Sequence, residues 1–288
     1  MRAPFALALL SLDGLGRVTA HRILDRFASP DTLRATPREQ ILLRIKGAPN
    51  ASALVDRLLG AELDDALADA ETAVAQDASR GIATLASGDT AWPEGLDVLP
   101  AASRPVLLRA YGALSALDAP LLSVLAAPPL DAASFEGIER LVGAAAARGI
   151  APVVGAEHGI DVALMKRSAG SGRAAIAVAG AGLAKVERSV RPAVTGLTRA
   201  GGLLVSPFAM THGPFEHDLR ERALVAAAIG RTVCAVAPVE GSPEDAAAGW
   251  AAEAGRPLVA LSPGDAAWAE RARIAETPLD AERLAEVV

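Results

Sequence analysis

Cysteine is almost missing from this sequence of 288 residues, because Cys234 is the only one. A single thiol cannot form an internal disulfide, and it cannot complete a Cys-x-x-Cys zinc or redox site. The sequence therefore excludes a disulfide scaffold and a cysteine-based structural zinc site. It indicates a protein of the reducing cytoplasm, in which Cys234 lies within a strand as a buried, inert thiol.

Long apolar runs are missing as well. The stretch from Pro4 to Leu12 is apolar for only nine residues before Asp13 and Gly14 close it, whereas a membrane-spanning helix needs about 20. No small-residue cleavage site follows it. We interpret this stretch as a helix of a protein that is neither exported nor membrane-bound.

A net positive charge is also absent. The chain carries 28 basic and 34 acidic residues, a formal charge of -6 at pH 7, which excludes a uniformly basic nucleic-acid binder but not a local basic face. Between residues 166 and 199 only one acidic residue, Glu187, accompanies seven basic ones, the strongest local charge excess in the chain. The seven are Lys166, Arg167, Arg173, Lys185, Arg188, Arg191 and Arg199.

The sequence divides into four predicted parts. Residues 1–75 repeat apolar side chains at three- and four-residue spacing, which predicts a small all-helical module. Residues 76–112 contain short strand-like runs and connect this module to a larger domain at 113–262. Residues 263–288 form a tail that we predict to be helical.

Short apolar runs alternate with helix-like segments in the larger domain. Strands that are apolar throughout, each followed by a crossover helix, indicate an α/β fold with a parallel sheet covered on both faces. The predicted strands are 121–125, 151–154, 174–179, 202–206, 232–237 and 257–261. The predicted helices are 134–148, 160–169, 189–200, 215–229 and 244–254.

Three loops follow predicted strands and contain the residues best suited to a phosphate pocket. Glycines at the carboxyl ends of parallel strands allow a close approach of backbone amides to phosphate. Tight turns needed only for packing explain them equally well, and neither glycine loop has the full Gly-x-Gly-x-x-Gly spacing. The candidate pocket residues are Gly155, Gly159, Asp161, Gly180, Gly182 and Ser206.

Charged and imidazole side chains follow the third loop. Arg220 and Arg222 near a helix start are suited to phosphate contacts, or they pair with neighbouring acids on a solvated face. His212, Glu216, His217 and Asp218 are metal-ligand types, but their spacing fits no common zinc pattern. We therefore expect neither a metal nor a cofactor.

A glycine-rich hairpin opens the chain. Gly14-Leu15-Gly16 between two apolar helical segments has the pattern of a helix-hairpin-helix. In that motif Gly14 and Gly16 expose backbone amides to a nucleic-acid phosphate. Degenerate copies serve as protein–protein modules, and the sequence favours neither use.

Taken in order, these motifs resemble the DNA-processing protein A family (DprA, also called Smf) from about residue 5 to 261. The hairpin comes first, and Trp92-Pro93 followed by Leu96 is similar to the family's aromatic-Pro-x-x-Leu element. The loop from Gly155 to Asp161 resembles its Ser-Gly-x-x-x-Gly-Ile-Asp, and Arg220-Glu221-Arg222 stands where it has Arg-Asn-Arg. The chain is a divergent member, since Ala126-Ala127-Pro128 replaces the Gly-Ser/Thr-Arg element.

The resemblance implies an extended Rossmann-like domain that binds single-stranded DNA and is not an enzyme. It further implies a homodimer that helps load the recombinase RecA in DNA uptake by natural transformation or in recombination. The implied DNA contacts are Lys166, Arg167, Arg173, Lys185, Arg220 and Arg222. Few aromatic residues, 3% of the chain, argue against base stacking as a main contribution.

Two alternatives remain on the sequence. A paralogue that has lost DNA binding would act as a dimerising interaction module. A nucleotide-binding or nucleotide-cleaving relative would use the glycine loops for a mononucleotide, with Glu157 or Asp161 as acid or base.

Overall fold

The fold is that of a computed structural model, in which residues 2–126, 130–157, 159–236, 239–261 and 273–275 are described. The chain separates into two compact units. The first comprises Met1–Trp92 and Pro100–Leu108, and the second comprises Pro93–Leu99 and Arg109–Val288. The segment predicted to connect the domains is therefore divided between the units.

The first unit is built from short helices, as the apolar periodicity predicts. They are α1 (Arg2–Ser11), α2 (Arg17–Leu24), α3 (Pro30–Arg34), α4 (Arg38–Arg44), α5 (Ala51–Leu59) and α6 (Ala61–Ser79), followed by strand β1 (Ile82–Ala86). Phe5, Leu9 and Ile23 are fully buried, because their spacing places them on the inner faces of α1 and α2. Val106 and Leu107 belong to the same core, which explains why the chain returns to this unit.

In the part of the second unit that the structure describes, eight strands form a mostly parallel sheet. They are β2 (Leu107–Gly112), β3 (Leu121–Ala126), β4 (Ala151–Gly155), β5 (Ile176–Val178), β6 (Leu203–Ser206), β7 (Thr232–Val236), β8 (Leu258–Leu261) and β9 (Arg273–Ala275). Their order is β2-β6-β5-β4-β3-β7-β8-β9. Strand β2 enters this unit at Arg109 and pairs antiparallel with β6. The other pairs are parallel, so the predicted sheet is confirmed.

Helices cover both faces of this sheet. They are α7 (Ala132–Ala147), α8 (Ile160–Gly170), α9 (Arg191–Arg199), α10 (Asp218–Ile229) and α11 (Pro243–Glu253). Val124 of β3 shares a core with Ile138 of α7 and Leu164 of α8. The neighbouring Ser123 donates a hydrogen bond from Oγ to the carbonyl of Ala226 in α10, at 2.6 Å. Because successive strand side chains point to opposite faces, α10 lies opposite α7 and α8, as predicted.

The C-terminal tail differs from its prediction in one segment. Residues 273–275 form β9 rather than a helix, and they pair in parallel with β8. Without β9, the outer edge of β8 would present unpaired N–H and C=O groups, and pairing with β9 satisfies them. The helical prediction is wrong at these three residues, and the remainder of the tail, 262–272 and 276–288, lies outside the described residues.

Two sequence expectations are tested directly by the fold. Cys234 lies buried in β7, and burial raises the pKa of its thiol to about 12, so the expected inert thiol is confirmed. Within the described ranges, no helix has both the length and the apolar character needed to cross a membrane.

Candidate nucleic-acid interface

The three candidate loops meet at one edge of the sheet, which we call the carboxyl edge. Gly155 ends β4, Gly180 follows β5, and Ser206 ends β6. These strands are neighbours in the order β6-β5-β4 and run parallel. Since parallel strands end on the same side, the sequence placed these loops correctly.

Beneath the loop after β4 lies a buried ion cluster around Arg222. Its Nη2 donates to Glu244 Oε1 of α11 at 2.5 Å, and its Nη1 lies 3.7 Å from Asp161 Oδ2 of α8. All three side chains are at most 10% exposed. We call Glu157, Asp161, Arg222 and Glu244 the Arg222 cluster. The arginine predicted to contact DNA is thus placed in an internal ion pair.

Gly155 is the residue that makes room for this cluster. A Cβ atom at this position would lie 2.0 Å from Arg222 Nη1 and 2.2 Å from Asp161 Oδ2. Gly159 begins α8 with φ of +76°, a conformation that glycine adopts readily. The close approach predicted for Gly155 is therefore real, but the group that approaches is a side chain of the same protein.

The Arg222 cluster is more acidic than basic. Burial raises the pKa of Asp161 to about 6, Arg222 opposes the rise, and the nearby carboxylates of Glu157 and Glu244 add to it. Two carboxyl groups, those of Asp161 and Glu244, therefore share a single guanidinium, and the charge of Glu157 acts on Asp161 as well. Such a cluster attracts a DNA phosphate less than the sequence pattern alone suggests.

The loop after β5 is covered by the segment that follows β6. The amide of Gly182 donates to the carbonyl of His212 at 2.9 Å, and that of Ala184 donates to Met210 at 3.0 Å. A Cβ at Gly182 would lie 2.0 Å from the carbonyl oxygen of Ala209. These two amides are therefore occupied by the chain itself.

Ser206 fixes the same two segments together. Its buried Oγ donates to the carbonyl of Ala181 at 2.8 Å and accepts from the amide of Phe208 at 3.1 Å. Together with the amide bonds of Gly182 and Ala184, these contacts make 206–212 a rigid cover over the glycine turn.

The basic residues singled out in the sequence analysis divide between two edges of the sheet. Lys185 and Arg188 are exposed in the connection after β5, and Arg220 is exposed at the start of α10, all at the carboxyl edge. Arg173 precedes β5 and Arg199 ends α9 before β6, which places both at the opposite edge.

Two further basic residues, Lys166 and Arg167, lie on α8 between the two edges of the sheet. Lys166 and Arg167 are both exposed. Arg167 Nη1 forms an ion pair with Glu139 Oε1 of α7 at 2.9 Å. The basic run is therefore not a single continuous surface.

A row of rings at the carboxyl edge was missed by the sequence analysis. Phe208 stacks on His212 with centroids 4.8 Å apart, His212 meets Phe215 edge-on at 5.3 Å, and Phe215 stacks on His217 at 5.5 Å. We call these four residues the ring row. The signal was available, since two of the five Phe and two of the four His fall within residues 208–217.

Asp218 holds both imidazoles of the ring row. Its Oδ2 lies 2.8 Å from His212 Nε2 and its Oδ1 lies 3.4 Å from His217 Nε2, while its side chain is 5% exposed. Three of the four residues singled out as metal-ligand types, His212, His217 and Asp218, are thus engaged with one another. No group of His, Cys, Asp and Glu suited to a metal ion occurs in the described part of the chain.

The N-terminal hairpin forms between α1 and α2, as predicted. Gly14 has φ of +79°, and Gly16 precedes the first residue of α2 without a side-chain cap. Arg57 Nη1 donates to the carbonyl of Asp13 at 2.7 Å. Beside the hairpin lies a cavity of about 270 Å³, which Asn50 and Arg57 help to line.

Two sequence features fall where the structure gives no description. Ala127 and Pro128, which replace the Gly-Ser/Thr-Arg element, lie outside the described residues, and so does His158.

Comparison with known proteins gives a consistent result. The sequence matches the family model of DNA recombination-mediator protein A over residues 83–276. The structure is similar to DNA processing protein A (DprA) from Streptococcus pneumoniae, with TM-score 0.65 and 17% identity over 92% of this chain and 96% of that chain. It is also similar to DNA processing protein A from Helicobacter pylori, a protein that binds single-stranded DNA, with TM-score 0.61 and 16% identity over 72% of this chain and 96% of that chain. No curated protein matches the sequence.

Proposed function

Because this chain belongs to the DNA recombination-mediator protein A family, we propose that it binds single-stranded DNA at the carboxyl edge of its sheet. The observation that carries the proposal is the placement of Lys185, Arg188 and Arg220, which are exposed at one edge although the chain as a whole is acidic. Phosphate contacts release condensed counterions and require local rather than net positive charge. The protein acts by binding, not by catalysis.

Lys185 and Arg220 are the central phosphate contacts in this proposal. Ala184 is hydrogen-bonded to Met210 at 3.0 Å, so Lys185 lies beside the segment that leads into α10. Arg220 is exposed in the first turn of that helix. Lys166 and Arg167 of α8 lie on the other face of the sheet from α10, and Arg167 is paired with Glu139, so we assign them no central contact. Arg173 takes no part because it lies at the opposite edge.

Arg222 acts as a positioning residue. Its guanidinium ties α10 to α8 through Asp161 and to α11 through Glu244. It thereby fixes the direction in which Arg220, two residues earlier, leaves the helix. Removal of Arg222 would leave two buried carboxylates without their partner, a change that typically costs about 3–5 kcal/mol of stability. A variant at this position therefore reports on folding before it reports on DNA.

Family membership also supports a proposal for assembly and partners. We propose a homodimer that assists loading of RecA onto single-stranded DNA during DNA uptake or recombination. The hairpin at Gly14 and Gly16 adds a second phosphate contact, because it precedes the N-terminus of α2, where the helix dipole favours an anion.

The test is fluorescence anisotropy of a labelled single-stranded oligonucleotide and a matched duplex at several salt concentrations. We expect wild type to prefer the single strand. A Lys185→Ala/Arg220→Ala variant should bind more weakly, with a salt slope shallower by about 1.4, or 0.7 for each lost contact.

The matched control is Arg173→Ala/Arg199→Ala, which removes the same number of charges at the opposite edge. It should retain the wild-type affinity and salt slope. Equal loss in both double variants would mean that binding is diffuse and not centred on the carboxyl edge.

A second candidate is an interaction module without DNA binding. The ion-paired Arg222 and the occupied amides of Gly182 and Ala184 favour it. Absence of single-strand binding by wild type at low salt would establish this alternative over our proposal. The same occupied amides speak against a mononucleotide site.

A further inference from the structure

We infer that the ring row is a stacking platform for an unpaired nucleobase of the bound strand. This inference rests on the proposed function, since it assigns a subsite to the same edge. Phe208, His212, Phe215 and His217 form a continuous series of ring contacts, and the two outer residues, Phe215 and His217, are exposed.

Exposure increases outward along the ring row. Phe208 is 6% exposed, the His212 side chain is 34% exposed, Phe215 is 51% exposed, and the His217 side chain is 79% exposed. The inner rings are packed against the protein, and the outer pair meets solvent. A large exposed aromatic surface that is supported from below is suited to receive a further ring.

The outer rings are already oriented. Phe215 and His217 lie within 6° of parallel, and both imidazoles of the row are held by the buried Asp218. A base that stacks on this pair meets two rings that already pack against each other, so less conformational entropy is lost on binding than with two isolated side chains.

A phosphate contact lies next to the platform. Arg220 is exposed three residues after His217 and is followed by the fixed Arg222. One nucleotide can therefore place its base on the rings and its phosphate at Arg220. This arrangement requires a base that is free of its Watson–Crick partner, so it favours single strands over duplex.

The position of the ring row revises an expectation from composition. A low aromatic content argued against stacking as a main contribution, but that content is an average over the chain. Four rings are concentrated at residues 208–217, beside exposed basic residues, so base stacking is available at this edge although the mean aromatic content of the chain is low.

The test compares two oligonucleotides of equal length and charge, an all-thymine strand and a strand of abasic sites. Wild type should bind the thymine strand at least about fivefold more tightly than the abasic strand, since each stacked base contributes a factor of roughly 5 to 150. Phe215→Leu keeps an apolar side chain but removes the ring. It should lose this preference while its affinity for the abasic strand and its salt slope stay unchanged.

Tyr111→Leu is the matched control. Tyr111 is 42% exposed and pairs with Leu204 near the start of β6, so it lies towards the opposite edge. This variant should keep the preference for thymine over abasic sites. Phe215→Trp should also keep it, and its folding can be compared with wild type by thermal denaturation.

Failure of the platform and failure of the proposed function give different results. If wild type binds no strand at all, the proposed function is wrong and the platform with it. If wild type binds but Phe215→Leu retains the thymine preference, DNA binding stands and the stacking platform is rejected.

Discussion

At the scale of single residues, the packing of the carboxyl edge depends on the ion pairs that the Arg222 guanidinium forms with acidic side chains around it. Asp161, Glu157 and Glu244 all lie near Arg222, and two of these carboxylates are in direct ion pairs with it. Burial makes the charged form of Asp161 less favourable than in water, and Arg222 compensates only in part. The cluster therefore holds α8, α10 and α11 together most firmly when one of its acids is protonated.

This sharing predicts a pH dependence of stability. Because the pKa of Asp161 is raised from 3.8 to about 6 on folding, its contribution to stability is fully present below the unfolded value and is lost as pH rises through the folded value. Asp161→Asn mimics the protonated form, so it should raise the free energy of unfolding at pH 7 by up to about 3 kcal/mol. Urea denaturation at pH 5 and pH 7 measures both effects.

The control for this experiment is Asp131→Asn. Asp131 caps α7, and hydrogen bonds from Ser134 lower the pKa of this exposed carboxyl, which is the opposite direction. This variant should gain no stability at pH 7. If Asp161→Asn is instead less stable than wild type at pH 7, the charged carboxylate is the form that the cluster requires.

At the scale of elements, the cover formed by residues 206–212 positions the ring row. Gly182 lies beneath it, and the group that a Cβ would meet is a backbone carbonyl, which cannot rotate away. Gly182→Ala should therefore destabilise the protein by about 1–3 kcal/mol through overpacking. It should also weaken single-strand binding, because the cover is displaced together with its rings.

Thermal denaturation and anisotropy measure the two effects of Gly182→Ala. Gly137→Ala in α7 is the matched control, since a Cβ there meets no atom within 4 Å. In a helix interior this change typically stabilises by about 0.5–1 kcal/mol. A Gly182→Ala protein as stable as wild type would show that the cover is not closely packed.

The helices and strands themselves were predictable, because local sequence patterns indicate them: apolar periodicity for the helices and short continuous apolar runs for the strands. Every predicted strand and helix between residues 113 and 261 has an observed counterpart within a few residues. The environment of Arg222 was not predictable in this way. Its partner Glu244 lies 22 residues later on another helix, whereas the neighbouring acids considered from the charge pattern were Glu216, Asp218 and Glu221.

The ring row shows the same limit of local patterns. Phe208, His212, Phe215 and His217 have no regular spacing, because the segment before α10 is an irregular loop. Only the tertiary contacts of Asp218 and of the glycine turn bring the rings into a row. Sequence analysis therefore placed the three loops at one edge, but it did not predict the ion pairs of Arg222 or the contacts between the rings.

At the scale of the whole molecule, the division into units does not follow a single cut in the chain. The first unit takes in residues beyond the helices, through Trp92 and again from Pro100 to Leu108. Ala86, Val106 and Leu107 are buried in its core with the helical residues. The predicted boundary at residue 75 would divide that core.

A chain that begins at residue 76 tests this organisation. It would leave Val106 and Leu107, which are 3% and 4% exposed in the full chain, without their helical partners. Newly exposed apolar surface of this kind promotes dye binding and association. We therefore expect the shortened chain to bind a hydrophobic fluorescent dye strongly and to aggregate on heating, in contrast to the full chain.

Polar replacement separates the effect of that surface from the loss of the helices themselves. Val106→Thr and Leu107→Gln in the shortened chain remove apolar groups at the exposed positions, and they should reduce both dye binding and aggregation. The same changes in the full chain should destabilise it, because they place polar groups in a packed core. The contradicting result is a shortened chain, carrying neither substitution, that binds dye and aggregates no more than the full chain does. It would show that residues 76–288 form a complete folding unit and that burial of Val106 and Leu107 does not depend on the helices of the first unit.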